Sequence, residues 1–257
     1  MSIPVCKYCG KVYKKNNKIL KDLPDFVKKH IEYIPDCDCF LKIQEKEFQE
    51  MERKMDIESS KNKIKKFIDM SLIDRKFLNS TFDKSTFNEN HMKLALNFAK
   101  KFVEKGSSPK GILFFGGVGT GKTFASSCIA NYLIENNKTI FIINMGLYIS
   151  KLQREWSEAE KDVLNYIKNC DLLIIDDFGS EKISEFVITK TFALIDTRYR
   201  SGKPTIITSN LGIDEIEEKF QSRIADRIRE MCFPIFVKGK SKRGLTTEKE
   251  FFDFIKL

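Results

Sequence analysis

Short apolar segments alternate with longer amphipathic ones from about residue 79 to the end of the chain. Five of the short segments are rich in Ile, Leu, Val or Phe, as expected for strands buried on both faces. They are Gly111–Phe115, Thr139–Ile143, Leu172–Asp176, Thr205–Thr208 and Ile235–Val237. Helical stretches separate them, at about 122–136, 144–168, 184–200 and 213–230. This alternation predicts an α/β domain with a parallel sheet and crossover helices.

The region before residue 79 has a different pattern. Residues from about 41 to 78 are charged, and their scattered apolar positions have the spacing of one or two amphipathic helices. Within them, the lysine-rich run 61–66 is interpreted as a solvated hinge. Residues 1 to about 40 contain four of the seven Cys and three of the six Pro. We therefore predict a Cys-rich module over 1–45, a helical linker over 46–78 and the α/β domain over 79–257.

Composition narrows the class of protein. Apolar residues make up 42% of the 257 residues, so a sizeable core can be buried, and the net charge is +9. Such a charge suits a polyanionic partner such as nucleic acid, although Lys that merely solvates the surface explains it equally well. No segment approaches the roughly 20 apolar residues of a membrane span, and the N-terminus lacks the apolar core of a signal peptide. We expect a cytoplasmic protein whose thiols stay reduced.

The segment after the first strand has the composition of a phosphate-binding loop. Gly116, Gly121, Lys122 and Thr123 satisfy the pattern G-x-x-x-x-G-K-[ST] between an apolar strand and a helix, a context that disfavours a chance glycine-rich turn. Backbone N–H groups turn inward around phosphate oxygens there. Lys122 is expected to reach the β- and γ-phosphates of ATP, and the Thr123 hydroxyl to bind Mg²⁺. The residues predicted to hold the nucleotide are Gly116, Gly117, Val118, Gly119, Thr120, Gly121, Lys122 and Thr123.

The third strand ends in two carboxylates, Asp176 and Asp177. Asp176 at the strand tip is predicted to hold Mg²⁺. Asp177 would then orient or deprotonate the attacking water, a role for a carboxylate within hydrogen-bond reach. Many related ATPases have Glu at this second position, and Asp is one methylene shorter. The alternative is that Asp177 and Gly179 simply form a turn.

Polar residues also follow the fourth strand. Asn210 can donate through its NH₂ group to a phosphate oxygen or to the attacking water; the alternative is that it caps the next helix. Further on, Arg223 and Arg227 lie four residues apart and share one helix face. An arginine supplied by a neighbouring subunit can stabilise charge on the transferring phosphoryl group. From these residues alone, however, ordinary pairing with Asp226 or Glu230 is the better explanation.

The N-terminal cysteines have metal-ligand spacing. Cys6 and Cys9 form a C-x₂-C pair, and Cys37 and Cys39 form a C-x-C pair. Four thiolates suit a structural Zn²⁺ site, and Gly10 fits the tight turn of a zinc knuckle. His30 could replace one Cys; four free thiols, or a redox pair at Cys6 and Cys9, are the alternatives. The other cysteines are predicted in the core: Cys128, Cys170 and Cys232.

Aromatic and basic residues outside these motifs have two interpretations each. Phe82 and Phe87 would either wall an adenine pocket or belong to the core. Trp156, with Lys151 and Arg154, would either contact single-stranded DNA or form a solvated helix. The basic run 238–243 would either contact phosphates or form a solvated loop.

Four segments together resemble the DnaC/DnaI/IstB group of AAA+ ATPases: Gly116–Thr123, Leu172–Gly179, Pro204–Leu211 and Arg223–Arg229. The resemblance covers about residues 79–240. It implies a five-stranded parallel sheet in the order 5-1-4-3-2 with a reduced lid. It also implies hydrolysis roles for Lys122, Thr123, Asp176, Asp177 and Asn210, and an arginine finger at Arg227, with Arg223 as the alternate. The N-terminal cysteines resemble the zinc-bearing helicase-binding domain of DnaI-type loaders, with different ligand spacing.

The resemblance implies an ATPase, weak as an isolated subunit, that assembles with itself and loads a DnaB-type replicative helicase onto single-stranded DNA. Two other functions stay open. One is an IstB-like transposition ATPase acting on duplex DNA. The other is an ATP-dependent DNA-binding module with little hydrolysis, which the shorter Asp177 would allow.

Overall fold

A computed structural model describes residues 3–16, 24, 32–71, 80–84, 89–154, 158–241 and 255 of the chain. Its strands are β1 (Lys14–Lys15), β2 (Tyr33–Ile34), β3 (Gly111–Phe115), β4 (Ile140–Asn144), β5 (Leu172–Phe178), β6 (Thr205–Ser209) and β7 (Cys232–Phe236). Its helices are α1 (Cys39–Met70), α2 (Asn90–Lys105), α3 (Lys122–Glu135), α4 (Met145–Arg154), α5 (Glu158–Asn169), α6 (Glu185–Ser201), α7 (Ile213–Phe220) and α8 (Ser222–Met231).

The chain divides into two compact units, Met1–Ser60 and Lys61–Leu257. In the first unit, Met1–Ser60, strand β1 pairs antiparallel with β2, and an isolated bridge joins Val5 to Val12. Helix α1 begins in the first unit, and its residues from Lys61 onward belong to the second. The domain boundaries expected at 45 and 78 stay predictions.

The second unit contains a five-stranded parallel sheet in the spatial order β4-β5-β6-β3-β7. Numbered along the domain, this is the order 5-1-4-3-2, so the predicted AAA+ topology is confirmed. Apolar side chains cover both faces of the sheet, in one cluster around Leu113, Phe141 and Ile207 and another around Phe114, Ile129 and Ile206. Burial on both faces explains why these strands are almost continuously apolar. The described chain continues past β7 only to Ser241, apart from Ile255, so the reduced lid stays a prediction.

Three element boundaries differ from the sequence expectation. The stretch 144–168 forms two helices, α4 and α5, and the stretch 213–230 forms α7 and α8, separated at Gln221, whose φ is +80°. Strand β7 begins at Cys232 and not at residue 235. Pro234 concealed this longer strand, because Pro lacks the N–H that a ladder needs and is tolerated on edge strands, which is where β7 lies.

The end of α1 covers the other edge of the sheet, at β4. Phe67 packs edge-on against Phe141 and Tyr166, with ring centroids 6.4 and 4.9 Å away. Ser71 Oγ, just after the helix, accepts a hydrogen bond from the backbone N–H of Ile142 at 3.0 Å. Residues 61–66, expected to be a solvated hinge or linker, are helical, and Ile64 among them is buried.

A buried arginine forms hydrogen bonds at the amino ends of strands β5 and β6. Arg198 of α6 is fully buried and donates hydrogen bonds to the backbone carbonyls of Ile167, Cys170, Asp171 and Pro204, at 2.6–3.2 Å. It thereby satisfies carbonyl groups where β5 and β6 begin.

Within the described part of the chain, no helix combines the length and apolarity needed to cross a membrane.

Candidate active site

The predicted phosphate loop, the acidic residues and Asn210 lie at the carboxyl ends of the parallel strands of the second unit. In the strand register, Phe115 is the partner of Ser209, and Asn144 is the partner of Asp176. The residues that follow β3 and β6, Gly116 and Asn210, therefore start from neighbouring positions. Parallel packing alone brings the phosphate loop, the acidic strand end and the polar strand end to one edge.

The loop between β3 and α3 has a backbone that only glycine adopts readily. Gly116, Gly119 and Gly121 have φ values of +138°, +76° and +101°, all in the left-handed range that favours glycine. At Gly116 a Cβ atom would also lie 2.6 Å from the carbonyl oxygen of Val237. Thr120 Oγ1 donates to Gly117 O at 2.9 Å across the loop. Helix α3 begins at Lys122, which aims its N-terminal N–H groups at the loop.

Lys122 is nearly buried and lies along this loop. Its Nζ donates to the carbonyl oxygens of Gly116 and Gly117 at 2.8 and 2.7 Å and to Asn210 Oδ1 at 2.9 Å. The structure thus brings together two residues 88 positions apart in sequence. An ammonium group in this position can exchange carbonyl acceptors for phosphate oxygens with a small movement.

Asp176 is the buried carboxylate of the site. Thr208 Oγ1 donates to its Oδ1 at 2.7 Å. Burial raises the pKa of Asp176 and the neighbouring Asp177 adds to this, whereas hydrogen bonds from Thr208 and Thr123 oppose it. A carboxylate and a hydroxyl beside a phosphate loop fit Mg²⁺, which proteins hold with one or two carboxylates plus substrate phosphates. A cation would also compensate the buried charge of Asp176.

Asp177 occupies an unusual backbone conformation. Its φ is +56°, and the pairing of β5 with β6 is irregular between Ile175 and Phe178. Its N–H donates to Thr208 Oγ1 at 3.0 Å. Because a non-glycine residue in this region is strained and needs support from its surroundings, the contact with Thr208 helps to fix where the second carboxylate lies.

Sequence reasoning missed Thr208 and Ser209. Thr208 bridges Asp176 and the backbone of Asp177, and Ser209 Oγ donates to Phe178 O at 2.6 Å. Both hydroxyls lie in a strand buried on both faces. Polar residues in such a strand need a hydrogen-bond partner, and this was the signal available in the sequence.

The two arginines of α8 have different surroundings. Arg227 donates to Asp196 through Nε at 3.0 Å and lies over the rings of Phe192 and Tyr199, 4.8 and 5.4 Å from their centroids. Arg223 is exposed, and its carbonyl oxygen accepts a hydrogen bond from Arg227 Nη1. Arg227 therefore pairs with Asp196 of α6, and not with Asp226 or Glu230 as the alternative interpretation had it.

The four N-terminal cysteines converge in the first unit. The Sγ atoms of Cys6, Cys9, Cys37 and Cys39 all lie within 4.8 Å of one another. Ideal tetrahedral ligation with Zn–S bonds of about 2.3 Å would place sulfurs roughly 3.8 Å apart, so the cluster fits Zn²⁺ with minor adjustment. Gly10, with φ +72°, closes the turn by donating its N–H to Cys6 O.

The thiols of this cluster are electrostatically suited to a cation. Hydrogen bonds from the backbone N–H groups of Tyr8 and Cys9 lower the pKa of Cys6 to about 6. Once one thiolate is present, its neighbours retain their protons, and the pKa of Cys39 is raised to about 12, chiefly by its hydrogen bond with Cys9. A divalent ion would remove this mutual repulsion, because thiolates and not thiols are metal ligands.

The remaining predicted residues lie elsewhere or outside the described residues. Cys128, Cys170 and Cys232 are buried in the core, as predicted. Phe82 is also buried and packs edge-on against Tyr132, so the core interpretation holds for it. Lys151 and Arg154 lie near the end of α4. His30, Phe87, Trp156, Lys242 and Arg243 lie outside the described residues.

A phosphate loop, an acidic strand end and a polar fourth strand end on a 5-1-4-3-2 parallel sheet define a P-loop nucleotide-binding protein with the AAA+ fold. Residues 44–250 match the family described as IstB-like ATP binding protein. Since this match covers most of the 257 residues, the chain belongs to the family of IstB-like ATP-binding proteins.

Several relatives and solved structures are similar to this chain. The replicative helicase loader DnaI of Bacillus subtilis is 25% identical over 212 residues, which are 75% of this chain and 67% of the relative. The replicative helicase loader DnaC of Buchnera aphidicola from Schizaphis graminum is 27% identical over 177 residues, 67% of this chain and 72% of the relative. A crystal structure of DnaI superimposes with a TM-score of 0.59 at 26% identity, covering 67% of this chain and 95% of that one.

Proposed function

We propose that this protein is an ATP-dependent loader that places a DnaB-type replicative helicase onto single-stranded DNA. The observation that carries the proposal is the presence, in one chain, of an AAA+ nucleotide site and a four-cysteine cluster. The sequence similarity to two proteins named replicative helicase loaders supports it. A transposition ATPase has no evident need for the cysteine cluster.

The nucleotide site divides the chemical work among few residues. The loop 116–123 binds the phosphates, and Lys122 exchanges its carbonyl acceptors for oxygens of the β- and γ-phosphates. Asp176 and Thr123 would hold Mg²⁺, and this ion would supply positive charge that offsets the negative charge developing on the phosphate. Asp177 takes a proton from the attacking water while the oxygen of that water forms a bond to the γ-phosphorus. The bond between the γ-phosphorus and ADP breaks, and its electron pair stays on ADP. Asn210, already bonded to Lys122, senses the γ-phosphate.

Assembly supplies the last catalytic group. Arg227 is the proposed finger, acting on ATP bound by a neighbouring copy of this chain. In the single chain Asp196 holds it at 2.8 Å, so assembly has to exchange this carboxylate for phosphate. Arg223, one turn away and exposed, is the alternate. Since fingers contribute roughly 10³-fold or more to hydrolysis, the isolated subunit is expected to hydrolyse ATP slowly.

The two units have separate partners in this proposal. Cys6, Cys9, Cys37 and Cys39 would hold Zn²⁺ and so order the first unit, which contacts the helicase. The second unit contacts single-stranded DNA, with Lys151 and Arg154 of α4 as candidate phosphate contacts. The net charge of the whole chain, +9, is compatible with such a partner.

The test is co-purification with the replicative helicase encoded in the same genome, followed by helicase loading onto a single-stranded DNA circle. The parent is expected to bind the helicase and to stimulate its loading with Mg-ATP. Lys122→Ala should keep helicase binding but lose ATP binding and loading, whereas Cys37→Ser should lose helicase binding and keep ATP binding. The proposal is wrong if the parent fails to bind the helicase, or if Lys122→Ala binds ATP with undiminished affinity.

The match to the IstB-like family favours an IstB-like transposition ATPase as the second candidate. That function predicts co-purification with a transposase and ATP-dependent binding of duplex DNA, which the same assay measures. A third candidate, an ATP switch with little hydrolysis, predicts that Asp177→Asn leaves both loading and turnover at the parent level.

A further inference from the structure

Side chains form hydrogen bonds with most of the peptide groups in the turn that follows Asp177. This turn contains two left-handed residues, since φ is +56° at Asp177 and +89° at Gly179. Thr208 accepts the N–H of Asp177, and Ser180 Oγ donates to its carbonyl at 3.0 Å. Ser209 Oγ donates to the carbonyl of Phe178 at 2.6 Å. A strained turn fixed by this many side chains has a defined orientation and does not relax.

Gly179 is held from both sides by charged residues. Its N–H donates to Glu181 Oε2 at 3.2 Å, and its carbonyl accepts from Lys219 Nζ at 2.6 Å. Lys219 belongs to α7, and α7 is joined to α8 by the contact of Glu217 with Arg229. The turn after Asp177 is therefore connected to the helix that carries the proposed finger.

Glu181 has a second oxygen that this arrangement does not use. Oε1 is buried and has no hydrogen-bond donor among the described residues. Burial raises the pKa of Glu181, and the nearby charge of Asp177 raises it further, while Lys219 opposes the shift. A buried carboxylate oxygen without a donor is costly, and a water or a ligand group can complete it.

We propose that Glu181 is a positioning residue for ATP hydrolysis: Oε2 orients Asp177 through Gly179, and Oε1 accepts a hydrogen bond from the water that Asp177 activates. The inference rests on the proposed function of the nucleotide site. Glu181 forms no covalent bond and takes no proton in this role. It supplies an acceptor next to a carboxylate, Asp177, that is one methylene shorter than Glu.

The two oxygens of Glu181 can be tested separately. Glu181→Gln keeps an acceptor for Gly179 but puts an NH₂ donor where Oε1 lay. Glu181→Ala removes both contacts. The matched control is Glu218→Gln, since Glu218 is an exposed carboxylate of α7. Single-turnover hydrolysis, with enzyme in excess over Mg-ATP, avoids dependence on slow turnover by the isolated subunit.

Glu181→Gln is expected to lower the rate of hydrolysis at least about tenfold, which is roughly the effect of losing one hydrogen bond to a charged group in the transition state. ATP affinity and melting temperature should stay at the parent values. The variant should also bind ADP with aluminium fluoride at least about tenfold more weakly, because this complex mimics the transition state. Glu181→Ala should lose at least as much, and Glu218→Gln nothing.

Two results would overturn the proposal. In the first, Glu181→Gln hydrolyses ATP at a rate within twofold of the parent rate, which would show that Oε1 of Glu181 has no role in hydrolysis. In the second, ATP affinity and melting temperature fall together with the rate, so Glu181 only maintains the fold. Failure of the proposed function is distinguishable, because the parent and Glu218→Gln would then neither bind nor hydrolyse ATP.

Discussion

The two units of this protein are stabilised in opposite ways. In the second unit, apolar side chains cover both faces of a five-stranded sheet. In the described part of the first unit, Cys6 is the one buried apolar side chain, while Phe40, Leu41 and Phe48 are 56–65% exposed. The second unit has an apolar core of its own, whereas the first has little beyond its four thiols.

This difference follows from size and composition. A short segment rich in charged residues cannot remove enough apolar surface from water to offset the entropy of ordering its chain. Zn²⁺ bound by the four cysteines would provide the missing stabilisation, because metal binding and folding of such a module occur together. Perturbations that separate these two sources of stability should therefore affect one unit and leave the other unchanged.

Removal of the metal should have the largest effect. A chelator, or Cys37→Ser with Cys39→Ser, is expected to unfold the first unit completely, because Cys6 is the one apolar side chain that its described residues bury. ATP binding by the second unit should remain. Metal content, limited proteolysis and nucleotide affinity measure these outcomes.

Cys128→Ala is the control, since Cys128 is buried in α3, far along the chain from the cluster. It should retain the metal and resist proteolysis before residue 61. The comparison fails if purified protein contains no stoichiometric metal, or if the chelated protein keeps a protease-resistant first unit.

Phe67→Ala should have the next largest effect and should act on the second unit. Phe67 is 6% exposed and packs on Phe141 and Tyr166, so the cavity left behind should cost about 3–5 kcal/mol of unfolding free energy. Phe48→Ala is the matched control on the same helix, where Phe48 is 60% exposed. Denaturant unfolding that shows equal losses for the two variants would contradict this assignment of the core.

Arg198→Met should destabilise the second unit by about 2–3 kcal/mol, since it leaves several buried carbonyls without a donor. Arg198→Lys should fall between this variant and the parent, because an ammonium donates fewer hydrogen bonds than a guanidinium. Arg200→Met, at a side chain that is 76% exposed, serves as control. Thermal unfolding of all three separates the loss of hydrogen bonds from a general effect of removing charge.

Ser184→Ala should have the smallest effect, about 1 kcal/mol. Ser184 Oγ accepts the N–H of Val187 at 3.2 Å and caps α6. Ser184→Asn should retain most of this stability, because Asn is an equally good cap. Zinc content and ATP affinity should be unchanged in both variants, and a change in either would show that the cap has a wider role.

The sequence by itself determined the sheet and the phosphate loop. Strands buried on both faces leave unbroken apolar runs, and a loop that wraps phosphate needs glycines at fixed spacing before Lys122. The C-x₂-C and C-x-C pairs likewise predict, from sequence alone, a cluster of four cysteines that can bind a metal ion. Local chemistry set these features, so they are visible in local sequence.

Tertiary structure alone decided which distant residues meet. The register of β3 with β6 brings Asn210 to Lys122, and the pairing of β5 with β6 brings Thr208 to Asp176. The bond of Arg227 to Asp196 and the contacts of Glu181 and Lys219 with Gly179 depend on how helices pack. The periodicity of the sequence does not predict such contacts. They join common residue types that become neighbours only when the helices and strands pack together.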